Sequence, residues 1–372
     1  MGLVAKRRTS TGWFLVYLTH VTGLFAICST IHWLLPGLTK ELWAGILLAM
    51  MVAELSYRMG RGIWRRSAWV FGLVLAGTSL LFLWHNWDVS WSTITSSLSN
   101  WGIMWLITPA MFMVVAIRSQ RFHRNLNSGL SVASLMVAQL LTLPVTNIRL
   151  IGLLTGMVLM IVNTAYFQNS LYPIIVVGFG LASFGKGLWE FFPDLSLQIG
   201  LVIGACTTLS LWLCHKLLNR QGSKLAKIYG FACDKWAIAL CIAELLILSF
   251  HSFSVYNNVA QPGWLYIAAT GVTLTAIITR TNKKSYLASF YGIGWCLELL
   301  VTEALAFGET STIKIAIANI GLGLAAQFLG GWWQRRNKLQ NLPSRWHILP
   351  LFYGVFGTSL RWNRFASTGR RK

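Results

Sequence analysis

Acidic residues are scarce in this chain. Ten Asp and Glu stand against 31 Lys and Arg, and only 11% of the 372 residues are charged. The sequence holds no paired aspartates on a loop. Other enzyme signatures are missing too: there is no Gly-x-Ser-x-Gly, His-Glu-x-x-His, P-loop or dinucleotide fingerprint. The six cysteines, Cys28, Cys206, Cys214, Cys233, Cys241 and Cys296, fall in or at the edge of apolar segments without a Cys-x-x-Cys, so no disulfide framework or metal site follows. The chain is read as a non-enzyme with no catalytic residue, metal or cofactor. Membrane polymerases and ligases of anionic lipid-linked sugars would present basic residues on the outer side, where Arg149 is the only arginine.

What the chain has in abundance is apolar sequence, 55% of its residues, gathered in long blocks. Runs of about 18 or more nearly uncharged residues cross the hydrocarbon as helices, because the backbone must satisfy its own hydrogen bonds in lipid. The expected fold is therefore all-α and polytopic. Spans are read at about 12–35, 42–57, 68–84, 101–117, 129–145, 149–167, 171–191, 197–218, 235–253, 264–279, 286–307 and 312–333, twelve in all, with both ends of the array cytoplasmic. The domain plan is a cytoplasmic segment at 1–11, a single membrane domain of about six hairpins at 12–333, and a basic tail at 334–372. The run from Trp13 to Leu35 is long and lacks a small-residue cleavage site, so it reads as a retained first helix rather than a signal peptide. In the tail, Leu349 to Leu360 is too short to cross and reads as interfacial or re-entrant. The connection from Lys216 to Asp234 reads as a basic cytoplasmic loop about one short helix long.

The net charge of +21 is distributed by loop, not by face. Clusters at Lys6/Arg7/Arg8, Arg58/Arg61/Arg65/Arg66, Arg118/Arg121/Arg124, Lys216/Arg220/Lys224/Lys227/Lys235, Arg280/Lys283/Lys284 and Arg335/Arg336/Lys338/Arg345 fall at every second connection. The opposite connections hold only Lys40, Arg149, Lys186 and Lys314. That is the positive-inside pattern, and it places the N-terminus in the cytoplasm. The partners it implies are the bilayer itself, with anionic lipids at the basic loops, and other membrane subunits or further copies of the chain; nucleic acid is excluded. A bacterial cytoplasmic (inner) membrane is the expected location, a thylakoid or organellar membrane the alternative.

The hairpin from Tyr286 to Trp333 has the plan that recurs along the chain. Rising helices carry Val137-Ala138-Gln139-Leu140-Leu141, Ile242-Ala243-Glu244-Leu245-Leu246 and Cys296-Leu297-Glu298-Leu299-Leu300. Descending helices carry Gly152-x-x-x-Gly156, Gly200-x-x-x-Gly204 and Gly321-x-x-x-Ala325. Glu190 to Glu244 and Glu244 to Glu298 are each 54 residues apart. Tandem duplication of hairpins is the expectation. Small residues one turn apart let backbones approach closely, so the glycine motifs read as packing devices. Pro109 and Pro144 free backbone groups and are placed as possible kinks.

The candidate site residues are the membrane carboxylates and their partners: Glu244, Glu298, Glu190, Lys186 and Gln139. Glu244 and Glu298 lie well inside spans with no basic residue within one turn, and an ionised carboxylate in hydrocarbon costs several kcal/mol. Either they form a proton or cation relay, with Gln139 its uncharged member, or they are neutral hydrogen-bonded packing residues. Glu303 shares the helix of Glu298 but points elsewhere. Lys186 and Glu190 are spaced for an ion pair in a Gly-rich segment (Gly178, Gly180, Gly185, Gly187) that reads as packing or as a broken helix. Glu54 is spaced for an interfacial pair with Arg58. His32, His85 and His251 sit beside aromatics near outer helix ends, where an interfacial belt explains them more simply than haem ligation. The expected function is a carrier or channel-like permease; the alternative is a non-catalytic membrane subunit or assembly factor.

Overall fold

A computed structural model describes residues 10–59, 64–83, 100–119, 121–142, 146–256, 260–280 and 286–307, with isolated positions 317, 318, 320–325 and 328. Every regular element among them is helical: α1 (Ser10–Leu34), α2 (Lys40–Met59), α3 (Arg65–Leu83), a 3-10 segment (Asn100–Leu106) running into α4 (Ile107–Arg118), α5 (Arg121–Thr142), α6 (Thr146–Phe167), α7 (Leu171–Phe191), α8 (Leu197–Arg220), α9 (Lys224–Tyr256), α10 (Trp264–Arg280) and α11 (Tyr286–Phe307). Seven stretches are long and apolar enough to cross a membrane: Phe14–Leu34, Arg65–Leu83, Arg149–Phe167, Leu171–Phe191, Leu197–Arg220, Lys224–Val255 and Ser289–Phe307. The eleven spans expected between 12 and 307 each coincide with a helix. Four of those helices fall short of the seven: α4 and α10 in length, α2 and α5 in apolarity, since α2 carries Lys40, Glu41, Glu54 and Arg58 and α5 opens on Arg121, His123 and Arg124. Most of the span expected at 312–333, the turn Gly308–Ser311, the tail from 334 with its 349–360 segment, the N-terminal Lys6/Arg7/Arg8, His85 and Pro144 lie outside the described residues.

Two sequence expectations are corrected by the helix bounds. The Lys216–Asp234 stretch is not a long connection: α8 continues to Arg220, a three-residue turn follows, and α9 starts at Lys224. Its 33 residues make a rod of about 50 Å, well beyond the ~30 Å hydrocarbon thickness. Gly222 makes so short a turn possible, with a φ of +70° that residues bearing a Cβ avoid, and Ser223 caps α9 by accepting from the Ala226 N–H at 3.1 Å. Pro109 does not interrupt a helix either. It sits in the first turn of α4, just past the 3-10 segment, where a missing N–H matters least, and its carbonyl accepts from the Ser131 hydroxyl at 2.9 Å.

The helices gather into two compact units, Met1–Phe191 and Phe192–Lys372. In the first, α2 pairs with α3, α4 with α5 and α6 with α7, while α1 lies on α3 and the pairs meet through α2 and α4 and through α5 and α6. Its interior is unusually polar. Asn127, Ser128, Ser131 and Thr142 on α5 and Asn163 and Thr164 on α6 are all at most 1% exposed. They are tied by hydrogen bonds such as Trp69 Nε1 to Asn127 Oδ1 at 2.9 Å.

The second unit is a four-helix arrangement. α8 packs on α9 and α10, and α11 packs on α10 and α9, which leaves α9 and α10 opposed across the middle. Repeats of three and four residues put one stripe of each helix toward that middle. On α9 the stripe reads Asp234, Ala237, Cys241, Glu244, Leu248, His251 and Val255; on α10 it reads Tyr266, Ala269, Thr273, Ala276 and Arg280. The core contains Leu201, Trp212, Leu245, Leu248, Ala269, Ile277, Cys296 and Leu299, each 6% exposed or less. At ~25 cal/mol per Å² such burial would dominate in water, but in lipid the gain is close packing and the few polar contacts inside.

Candidate functional site

Glu244 occupies the midpoint of the α9 stripe and is 5% exposed. Its Oε2 accepts a hydrogen bond from Thr273 Oγ1 on α10 at 3.3 Å, while Oε1 has no hydrogen-bond partner among the described residues. On the other side stands α8, where Gly204 makes room: a Cβ there would lie 2.7 Å from Glu244 Oε1. The carboxyl is thus wedged between two helices, with the buried thiols of Cys241 and Cys296 within its electrostatic reach. Holding a carboxylate ionised at such depth costs about 2.5–3.5 kcal/mol, a cost removed when a proton or cation arrives.

The same stripe ends in a polar closure on each side. At the basic end, Arg280 Nε donates to Asp234 Oδ1 at 2.7 Å and Nη2 to Oδ2 at 3.3 Å, a two-pronged contact. Trp212 Nε1 donates to the same Oδ1 at 3.0 Å, and the guanidinium stands 5.8 Å from the Trp212 ring centre. At the opposite end, His251 Nε2 lies 3.3 Å from Glu303 Oε1, an approach by charge without a hydrogen bond between the two atoms, and the imidazole stacks on Tyr266 with centroids 3.5 Å apart. Along α9, Glu244 stands about 15 Å from the level of Asp234 and about 10 Å from that of His251. α9 therefore carries three polar stations facing the middle of the unit.

The sequence-selected residues divide between the two units. Gln139, Lys186 and Glu190 belong to the first unit, Glu244 and Glu298 to the second. Glu298 is half-buried and accepts from Thr302 Oγ1, one turn on along its own helix, at 3.4 Å. Glu303, five residues further, turns to His251, so the two carboxylates of α11 do serve different neighbours. Lys186 and Glu190 form the expected ion pair at 2.8 Å on an unbroken α7. Cβ atoms at Gly185 or Gly187 would meet nothing within 4 Å, so these glycines neither pack a neighbour nor open the helix. Gln139 donates from Nε2 to the Gly152 carbonyl at 2.8 Å, and a Cβ at Gly156 would stand 3.0 Å from that nitrogen. The packing role of the glycine motifs holds at Gly152, Gly156 and Gly204, whereas Gly200 has only Leu195 nearby, at 3.7 Å, and Gly321 nothing.

Two expected arrangements are overturned. Glu54 does not pair with Arg58. It lies 2.8 Å from His20 Nε2 on α1, whose Nδ1 is 2.9 Å from Ser67 Oγ, and Arg58 Nη1 instead donates to the Arg65 carbonyl at 3.3 Å. An imidazole from a neighbouring helix competes for the carboxylate and wins because α1 packs on α3 at that level. His251 is no belt residue: its side chain is 9% exposed and faces inward to Glu303. His32, by contrast, is exposed, with its ring 6.2 Å from that of Trp43.

Reading by spans did not select Asp234 or Arg280 for a site, and it took His251 for a belt residue and Glu303 for a carboxylate apart from Glu298. Asp234 and Arg280 are 46 positions apart and leave no local signal. His251 does leave one, because it follows Glu244 by seven residues and so falls on the same helical stripe. Among the described residues no three His, Cys, Asp or Glu side chains gather as a metal site. Comparison with protein-family models, with characterised proteins and with solved structures finds no match for this chain.

Proposed function

We propose that the chain is a membrane carrier or channel-like permease in which Glu244 takes up and releases a proton or small cation. The observation that supports this reading is a buried, half-partnered carboxyl in the middle of α9, between polar closures at Asp234–Arg280 and His251–Glu303. Buried polar groups tend to have their hydrogen bonds satisfied; Glu244 keeps one oxygen without a donor among the described residues, a feature it shares with Glu303 on α11. Breaking the closure at one end while the other holds would open Glu244 to one side at a time. The charge asymmetry of the loops orients this pathway, with the Asp234 end cytoplasmic.

The same reading takes the membrane array as about twelve spans with the N-terminus inside, in a bacterial cytoplasmic membrane. A hairpin duplication gains support from Gln139 and Glu244, each of which seats against the glycine of a Gly-x-x-x-Gly helix. Gln139 uses the helix that follows it and Glu244 the one that precedes it, so in this reading the copies exchanged neighbours.

The deciding experiment is ion flux in proteoliposomes, with wild type beside Glu244→Gln and with thermal unfolding in detergent as the fold control. Loss of proton or cation flux at unchanged stability is the expected result. Full flux in the variant would remove Glu244 from the pathway. A wild-type protein without flux that copurifies with a one-to-one partner would favour the alternative of a non-catalytic membrane subunit.

A further inference from the structure

We propose that the cleft at the basic end of α5, α6 and α7 binds a phosphate-bearing anion, with Arg124 as its charged anchor. The cleft measures about 250 Å³ and is lined by Arg124, Asn125, Phe167, Asn169 and Tyr172. Arg124 donates from Nη2 to the Tyr166 carbonyl at 2.7 Å, and its guanidinium carbon lies 4.7 Å from the Phe167 ring centre. One N–H and one face hold the group in place, and a guanidinium has five N–H donors. Asn169 has its carbonyl oxygen engaged by the Leu171 N–H at 3.2 Å, so what it offers a ligand is its amide donors. Ser128 and the Tyr172 hydroxyl share a hydrogen bond at the buried side of the cleft. The lining is thus rich in donors.

Charge balance says what such a lining takes. Between Asp88 and Glu190 the chain contains no acidic residue at all. The cleft lining therefore carries the positive charge of Arg124 and no carboxylate, which suits an anion. A tetrahedral oxyanion suits Arg and Asn donors, which reach its oxygens from several directions. Two sources share this chemistry: the headgroup phosphate of an anionic lipid and a free phosphate ion. The inference does not depend on the transport reading, since it rests on other residues in the other unit.

The test uses the full chain in nanodiscs of phosphatidylcholine with or without phosphatidylglycerol, read by native mass spectrometry of retained lipid. A retained phosphatidylglycerol is expected, weakened about tenfold by Arg124→Gln, because the charge-assisted hydrogen bonds of the guanidinium are lost. Asn125→Glu places a repelling carboxylate at an exposed position with little cost to folding, and the same loss is expected. Arg149→Gln, on an arginine outside the cleft, leaves binding unchanged. Inorganic phosphate in pure phosphatidylcholine discs separates the sources. If it raises the unfolding temperature in an Arg124-dependent way, the site takes the free ion; if only the lipid binds, the site is for headgroups. Equal retention of both lipids together with no effect of phosphate overturns the proposal, as does binding that survives both Arg124→Gln and Asn125→Glu.

Discussion

Glu244 and Gly204 occupy what would otherwise be one volume: the carboxyl of α9 reaches to 2.7 Å from the point where a side chain on α8 would begin. A motif that by itself signals only close helix packing here creates the socket for an ionisable group. Gly204→Ala is therefore expected to push the carboxyl away from Thr273 and to lower both stability and flux. Combined with Glu244→Ala the stability penalty should largely disappear, a coupling of about 0.5–3 kcal/mol in a double-mutant cycle read by thermal unfolding. Additive penalties would mean that the two residues do not share the volume.

Gly185→Ala and Gly187→Ala supply the contrast. Cβ atoms there enter open space at ordinary helical φ, so each variant should unfold within about 0.5 kcal/mol of wild type. Gly222→Ala is different, since its φ of +70° forces the new Cβ into the left-handed region. A loss of about 1–2 kcal/mol is expected, with Gly222→Asn milder. Equal behaviour of all three glycines would refute the assignment of the α8–α9 turn.

Asp234 and Arg280 hold α9 to α10 at the basic end, both about one-fifth exposed. Arg280→Gln leaves a carboxylate whose only remaining hydrogen-bond donor shown here is Trp212, and about 1–3 kcal/mol of stability should be lost, less than for a fully buried pair. Asp234→Asn with Arg280→Gln should cost less than the two single changes summed. Denaturation of the four proteins in one detergent checks the sign of that coupling.

Cys241 and Cys296 provide a native probe of access to Glu244, because both are buried beside it. In a background with the other four cysteines changed to serine, a membrane-impermeant maleimide should leave wild type unlabelled. Arg280→Gln should admit reagent from the basic side and Glu303→Gln from the opposite side, raising the labelling rate of Cys241 by about tenfold or more. Labelling from both sides in either variant would count against separate closures. Peptide mass spectrometry identifies which thiol reacts.

Helix positions were legible from composition because lipid imposes a local rule: a backbone without water must bond to itself, and about twenty apolar residues satisfy both length and solvation. Each expected span up to 307 accordingly falls on a helix. The Lys186–Glu190 pair was legible for a similar reason, since four residues bring two side chains together on any helix. Glu54 shows where that rule ends. Arg58 is one turn away, yet the imidazole of His20, 34 positions back, holds the carboxylate because a third helix presents it.

By itself, then, the sequence determined the class of the molecule, the approximate bounds of its helices and the scarcity of acid that makes each carboxylate conspicuous. All of these follow from interactions within a turn or two of helix or between a helix and its solvent. Which carboxylates matter together was decided only by the tertiary structure. Glu244 meets Thr273 and Gly204, Asp234 meets Arg280 and Trp212, and Glu303 meets His251, each across helices that sequence spacing does not order. The physical reason is that side chains on neighbouring helices touch according to the choice of packing partner and the axial offset between them, and long-range packing sets both.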